Sequence, residues 1–381
     1  MHPFLDFARS KQSAIIALIR ELVECESPSD HPQSVNRFVD LLASKLEREG
    51  RVRKLAGGRF GRHLRCEFQL PGPRKQRDGN ILALGHSDTV WPLGTLAHMP
   101  FRQKNGRLWG PGVLDMKSGI VFFLYAIQAL RELDVPVARR VVLQVNADEE
   151  VGSESSRPLT EEAARASAVV LVLEPGTGLA GKIKTERKGV GDYTVTVRGR
   201  ASHAGVDFQN GASAIVELAR QIERLAGFTQ LSRGITVNPG VISGGTRTNV
   251  VAAEAKAEVD IRVARMKDAP ALDRKFRALR PFDKRCAIQV EGGVNRPPME
   301  RTPAIRKLFA TARGFAKELG VKLEESSTGG GSDGNFTAAL GVPTLDGLGG
   351  VGEGAHAANE SILVDRIADR TALLAMLLSK L

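Results

Sequence analysis

Acids and histidines gather in five short segments: GHSDT at 85–89, GPGVLDMKSG at 110–119, NADEEVGS at 146–153, LEPG at 173–176 and GEGAHAANE at 352–360. Three of them follow or end the apolar runs ILALG, VVLQVN and AVVLVLE, which read as buried strands. One acid after a strand is normally a turn residue. Three such junctions, with two histidines in glycine-rich loops, suit a divalent metal site. Histidine and carboxylate are borderline ligands that fit zinc, with cobalt or manganese as alternatives. Two neighbouring ions need a shared ligand, and a bidentate carboxylate such as Asp115 can bridge them. Asp88, two residues after His86, is placed to hold the ring's other nitrogen and fix its tautomer. The doublet Glu149–Glu150 offers one acid to a metal and leaves one free to take a proton from water.

The elements that must position these groups alternate. Helical spacing runs over 10–25 (Ile15, Leu18, Ile19, Leu22) and 32–49 (Val35, Phe38, Val39, Leu42, Leu46). PGPRKQRDG at 71–79 reads as a turn, 80–85 as a strand, 118–133 as a helix and 140–146 as a strand. A helix over 158–166 and a strand over 168–173 follow. This order favours a mainly parallel sheet with helices on both faces, whose carboxyl-end loops share one crevice. Near Lys184 the rhythm becomes β-α-β-β-α-β, with amphipathic helices at 212–225 and 269–279, which suits a ferredoxin-like α+β insert. From Thr302 the first rhythm returns, with a helix to Gly320, a glycine-rich turn, a helix at 333–340, a strand at 343–347 and a helix at 360–380. The expected organisation is a catalytic domain in two parts, 1–184 and 298–381, interrupted by 185–297.

Bulk properties narrow the partners. A chain of 381 residues favours two domains. The net charge of +11 is spread along the chain rather than gathered in a stripe, and only two Trp and two Tyr are present. Nucleic-acid binding is therefore poorly supported, while an anionic small substrate fits. Cys25, Cys66 and Cys286 form no CxxC pair, so neither a thiol metal site nor a disulfide framework is suggested. Asp6, Arg9, Lys11 and Arg20 interrupt what would be a signal peptide, and no apolar stretch reads as long enough to span a membrane. A cytoplasmic location is expected.

Taken in order, GHSDTVWPLGTL, GPGVLDMKSG, NADEEVGS, GRASHAG and STGGGSDGNFTAALGVPTLDGLG resemble the zinc-dependent aminoacylase and carboxypeptidase superfamily. The resemblance covers nearly the whole chain and is nearest to the bacterial glutamate carboxypeptidases that hydrolyse folates. It implies a three-layer zinc-exopeptidase-like catalytic domain and an inserted lid and dimerisation domain, hence a homodimer. It also implies two zinc ions per subunit, His86 and Glu174 on one, Glu150 and His356 on the other, and Asp115 bridging. A cis peptide is expected after Asp115. Asp88 matches the residue that orients the first histidine, Glu149 the general acid/base and His203 a lid histidine that polarises the scissile carbonyl. Asn249 and Arg262 match substrate-binding lid residues, the arginine meeting a terminal carboxylate, and Gly329, Gly330 and Gly331 match a turn beside the substrate. Lys182 has the spacing of a basic residue that influences side-chain preference, although its neighbours differ. His356 departs from the usual pattern, since no Ser or Thr follows it.

Plainer roles exist for several of these. His203 can be a solvent-facing turn residue, Arg262 a strand arginine facing water and Asn249 a turn cap; His63, His98 and His31 read as structural or surface residues. A nucleotide-dependent redox enzyme lacks its GxGxxG and a serine hydrolase its GxSxG. The expected function is a carboxypeptidase releasing a C-terminal amino acid, with glutamate preferred. An N-acyl amino acid deacylase or aminoacylase is the alternative within the superfamily. A non-catalytic metal or amino-acid binding protein is the alternative outside it, and it has no need of Glu149.

Overall fold

Successive residues of the apolar strands point into two different cores. Ile81 and Ala83 join one cluster while Leu82 and Leu84 join another, and Val169 and Leu171 alternate in the same way with Val170 and Val172. A strand buried on both faces needs apolar residues at every position, which is why these segments show no polar alternation. The computed structural model describes residues 2–73 and 76–381; of the turn expected over 71–79, residues 74 and 75 lie outside those described.

Two compact units emerge. One comprises the chain up to Glu186 with Arg301–Ser327 and Ser332–Leu381, the other Arg187–Glu300 with Thr328–Gly331. The larger unit is an α/β layer structure around an eight-stranded sheet. Its strand order is 50–56, 62–68, 141–146, 80–86, 167–172, 344–346, 183–187 and 325–328. The centre is parallel: 80–86 pairs with both 141–146 and 167–172, which pairs in turn with 344–346. Antiparallel pairing of 50–56 with 62–68, and of 62–68 with 141–146, makes the sheet mixed rather than wholly parallel. The carboxyl ends of the three central strands carry His86, the 147–153 turn and Glu174.

Helix Ser118–Glu132 is buried on nearly all sides and packs against the C-terminal helix Ile367–Lys380. The helical run Val113–Glu132, with mean hydropathy 1.5, is in fact long and apolar enough to cross a membrane, contrary to the sequence expectation. Its most apolar window is 89% buried inside the protein, so its composition serves the core. Other differences lie at element ends. The expected 10–25 helix is Gln12–Glu24, and a further helix, Pro3–Ser10, precedes it, with Lys11 between them and His2 capping the first by accepting the Phe4 N–H. The expected helix over 360–380 starts only at Ile367, because Ser361–Leu363 pairs with Arg107–Trp109 in a small four-stranded sheet. That partner lies some 250 residues away (|i−j| = 254 for Arg107 and Ser361), so periodicity within the segment cannot reveal it.

The smaller unit is ferredoxin-like. Its antiparallel sheet runs in the order 236–244, 254–263, 189–198, 287–296, with helices Ala214–Ala226 and Ala269–Arg277. Tyr193, Val195, Val197, Leu218, Leu272 and Phe276 belong to one core, in which the Tyr193 and Phe276 rings stack 3.8 Å apart. Thr236–Gly244 is an edge strand with a bulge between Pro239 and Val241.

Candidate metal centre

The two carboxylate oxygens of Asp115 face different histidines. Oδ1 lies 3.1 Å from His86 Nε2 and Oδ2 lies 3.3 Å from His356 Nε2. Glu174 Oε1 is 3.5 Å from His86 Nε2, and Glu150 Oε1 is 3.3 Å from His356 Nε2. The five expected ligands thus fall into two clusters that share Asp115. The Asp115–Met116 peptide is cis, as the sequence led us to expect.

Local structure presents each group. His86 ends its strand and is almost wholly buried. Its Nδ1 is 2.8 Å from the Asp88 main-chain oxygen and 3.5 Å from Asp88 Oδ1. Donation from Nδ1 to that carbonyl leaves the Nε2 lone pair for a cation. Asp88 was expected to hold this nitrogen through its side chain; the nearer acceptor is its main-chain oxygen. The Asp88 carboxylate instead accepts the N–H of Glu149 at 3.2 Å, the N–H of Glu150 at 3.1 Å and the Ser29 hydroxyl at 2.8 Å. Asp88 therefore joins the first histidine to the turn that bears both glutamates. His356 sits half-exposed in the left-handed region at φ 62°.

More polar residues brace the 147–153 turn. The Asp333 carboxylate accepts from Ser153 Oγ at 2.6 Å and from Asn146 Nδ2 at 2.5 Å. His63 Nδ1 accepts the Ala147 N–H at 3.0 Å, so its proton resides on Nε2, 3.1 Å from Ser155 Oγ. Burial holds the His63 pKa below its usual value, in keeping with a neutral ring. None of Ser29, His63 and Asp333 was legible as a site residue, since each reads as an ordinary turn or strand residue until the fold brings it near.

Electrostatics sharpen the clusters. Burial opposes charge on His86, yet the Asp115, Asp88 and Glu174 carboxylates outweigh it and raise its pKa well above the histidine range. Asp115 and Glu150 raise His356 to about 10. Burial opposes ionisation of Asp115, but the two histidines hold its pKa well below the carboxylate range. Burial raises Glu150, and its Oε1 is buried without a hydrogen bond.

Do these residues fit metal ions? Four ligands at about 2.0–2.1 Å around zinc stand roughly 3.3 Å apart along a tetrahedral edge. The observed nitrogen-to-oxygen separations of 3.1, 3.3, 3.3 and 3.5 Å match that spacing. With the unbonded Glu150 oxygen and a donor set of imidazole and carboxylate, they fit a pair of divalent ions. Glu149 offers an oxygen within 4.8 Å of ligand atoms of His86 and Glu174.

The remaining expected residues are described within their own units. Lys182, in the larger unit, pairs with Glu324 at 2.9 Å. His203, Asn249, Arg262, Gly330 and Gly331 all belong to the smaller unit. His203 Nδ1 accepts the N–H groups of Gly205 and Val206, both at 3.2 Å, which makes Nε2 the protonated, donating nitrogen. The Asn249 carbonyl accepts the Ala204 N–H at 2.9 Å, tying the two segments together. Arg262 is held by Asp260 through two parallel bonds of 3.0 and 2.7 Å, and its Nη1 donates to the Gly329 carbonyl at 3.2 Å. Arg187 donates to the carbonyls of Gly330 and Gly331.

A model of peptidase family M20/M25/M40 matches residues 82–380, more than half of the chain. The chain belongs to this family. The enzyme is accordingly a metal-dependent hydrolase. Carboxypeptidase G2 of Pseudomonas sp. (strain RS-16) is 30% identical to it over 356 residues, covering 92% of this chain and 84% of the relative. Succinyl-diaminopimelate desuccinylase of Bordetella petrii is 28% identical over 377 residues, covering 92% and 93%. Among solved structures, aminopeptidase PepT of Bacillus cereus superposes with a TM-score of 0.78 at 24% identity, over 97% of this chain and 98% of that one.

Proposed function

We propose that the enzyme is a dinuclear carboxypeptidase that hydrolyses the amide bond to a C-terminal amino acid with a free carboxylate, glutamate being preferred. The observation that carries the dinuclear reading is the division of the two Asp115 oxygens between His86 and His356. In this reading His86 and Glu174 hold one zinc ion, Glu150 and His356 the other, and Asp115 both; cobalt or manganese can take the same places. The ions would supply Lewis acidity toward the substrate carbonyl and a water that is easier to deprotonate.

The protein groups do the rest. Glu149 takes the proton from water as its oxygen attacks the amide carbon, then returns it to the nitrogen when the carbon–nitrogen bond breaks. His203 donates from Nε2 to the carbonyl oxygen as charge builds there, a role its acceptor bonds at Nδ1 support. Arg262 grips the free α-carboxylate in the planar manner suited to guanidinium, alongside Asn249 and the Gly329–Gly331 backbone. Lys182 meets a glutamate side chain once it leaves Glu324.

The enzyme is further read as a cytoplasmic homodimer joined through its smaller unit. Val241 and Ile242 on the edge strand are 56% and 64% exposed, and Ile215 and Val216 on the 214–226 helix are also exposed. Free cysteines at 25, 66 and 286 suit a reducing compartment.

The test compares kcat/KM for N-acetyl, N-benzoyl, N-peptidyl and pteroyl derivatives of glutamate, aspartate, leucine and ornithine with the zinc-loaded enzyme. Glutamate derivatives should lead, Arg262→Ala should depress every free acid, and Lys182→Ala should erase the preference for glutamate over leucine. Equal cleavage of α-carboxylate esters would sink the carboxylate grip. Similarity to a desuccinylase over most of both chains favours a second reading, deacylation of N-acyl amino acids. Preference for N-acetyl ornithine or N-acetyl leucine would establish it with the same metal chemistry.

A further inference from the structure

Glu360 is fully buried four residues after His356 and accepts four hydrogen bonds. Oε1 takes the main-chain N–H groups of Leu114 at 2.9 Å and Asp115 at 3.0 Å. Oε2 takes the Gly112 N–H at 2.9 Å and the Trp91 indole N–H at 2.7 Å. All four partners can only donate. The group among them must only accept, which an ionised carboxylate does and a carboxamide does not. The main chain adds to the link, because the Glu360 carbonyl accepts from the Gly110 N–H at 3.4 Å, while within its own loop the Glu360 N–H donates to the Ala357 carbonyl.

The clamp acts on the backbone of the 112–115 turn, from which the Asp115 side chain reaches both histidines. It acts from the very loop that supplies His356. We infer that Glu360 is a positioning residue for the metal pair, locking the Asp115 turn and the His356 loop into one piece so that the shared and second ligand sets arrive preformed. The inference rests on the dinuclear reading given above. It gives Glu360 no contact with substrate or ion; its work is to remove from metal binding the cost of ordering two loops.

Glu360→Gln is the sharp variant, since it keeps size and shape while turning one acceptor into an NH2 group that faces two donors. A residue that merely fills space would tolerate it. Calorimetric zinc titration of the metal-free protein should give two ions per chain for wild type, with affinity lowered roughly 10–100-fold in the variant at one or both sites. Raising free zinc should restore kcat, with KM unchanged throughout. Wild-type affinity in a folded Glu360→Gln protein overturns the inference while leaving the dinuclear reading intact. Fewer than two ions in wild type overturns both. A second measurement needs no variant. In the metal-free wild type, the amides of Gly112, Leu114 and Asp115 should resist hydrogen exchange, and exchange as fast as in an exposed turn also overturns the inference.

Discussion

At the scale of single residues, the proposed mechanism gives Glu150 to an ion and Glu149 to a proton. Glu149 and Glu150 are adjacent, and Asp88 binds both of their N–H groups; Glu150 Oε1 lies 3.3 Å from His356 Nε2, while Glu149 offers an oxygen within 4.8 Å of ligand atoms of His86 and Glu174. Glu149→Ala should therefore keep two zinc ions by metal analysis while kcat falls by roughly 10²–10⁴-fold, the usual worth of a general acid/base. Near-normal kcat in the metal-replete variant would remove Glu149 from that role. The histidines make a second prediction. In the metal-free protein the pKa of His356 is about 10 and that of His86 is also raised, so both rings are protonated at neutral pH. A cation must displace those protons, so affinity should rise with pH and about two protons should leave per chain. Zinc titrations in two buffers of different ionisation heat should report that release, and heats independent of buffer would contradict it. Without metal the sign for folding is opposite. The raised His356 stabilises the fold fully below its unfolded value and loses that effect as pH climbs through about 10.

At the scale of elements, what was legible followed from local pattern. The runs at 81–85, 141–146 and 168–173 announced buried strands because both faces had to be apolar, and the candidate ligands His86, Glu150 and Glu174 follow them. The β-α-β-β-α-β order gave the smaller unit its topology. What stayed hidden depends on distant partners. Strand Ser361–Leu363 exists because Arg107–Trp109 is beside it, and Asp333 matters because Ser153 and Asn146 reach it. Arg370 is another such residue. Buried within helix Ile367–Lys380, it donates to the carbonyls of Gly349 at 3.0 Å, Gly181 at 3.1 Å and Gly347. Burial lowers its pKa to about 10. Arg370→Met keeps the bulk but strands three carbonyls, and should cost about 3 kcal/mol. Urea unfolding followed by helical circular dichroism should show the lower midpoint; an unchanged midpoint would show that water replaces the guanidinium at no cost.

At the scale of the molecule, the edge strand Thr236–Gly244 exposes unpaired backbone next to Val241 and Ile242, the kind of edge that proteins usually cover. The proposed two-fold dimer would need one self-complementary patch and no second interface. Sedimentation at micromolar concentration should give twice the chain mass, and Ile242→Lys should give monomers. A wild-type monomer at every concentration would refute the dimer. The division of the chain has a different consequence. Although Arg187–Glu300 is a continuous insert, the unit it forms is completed by Thr328–Gly331, whose carbonyls receive Arg187 and Arg262. An excised 187–300 cassette would carry those arginines into a new host without these acceptors. The smaller unit is thus drawn from two stretches of the gene and is not portable as one: shuffling it between enzymes requires a matched graft of the four residues 328–331 beyond its main segment.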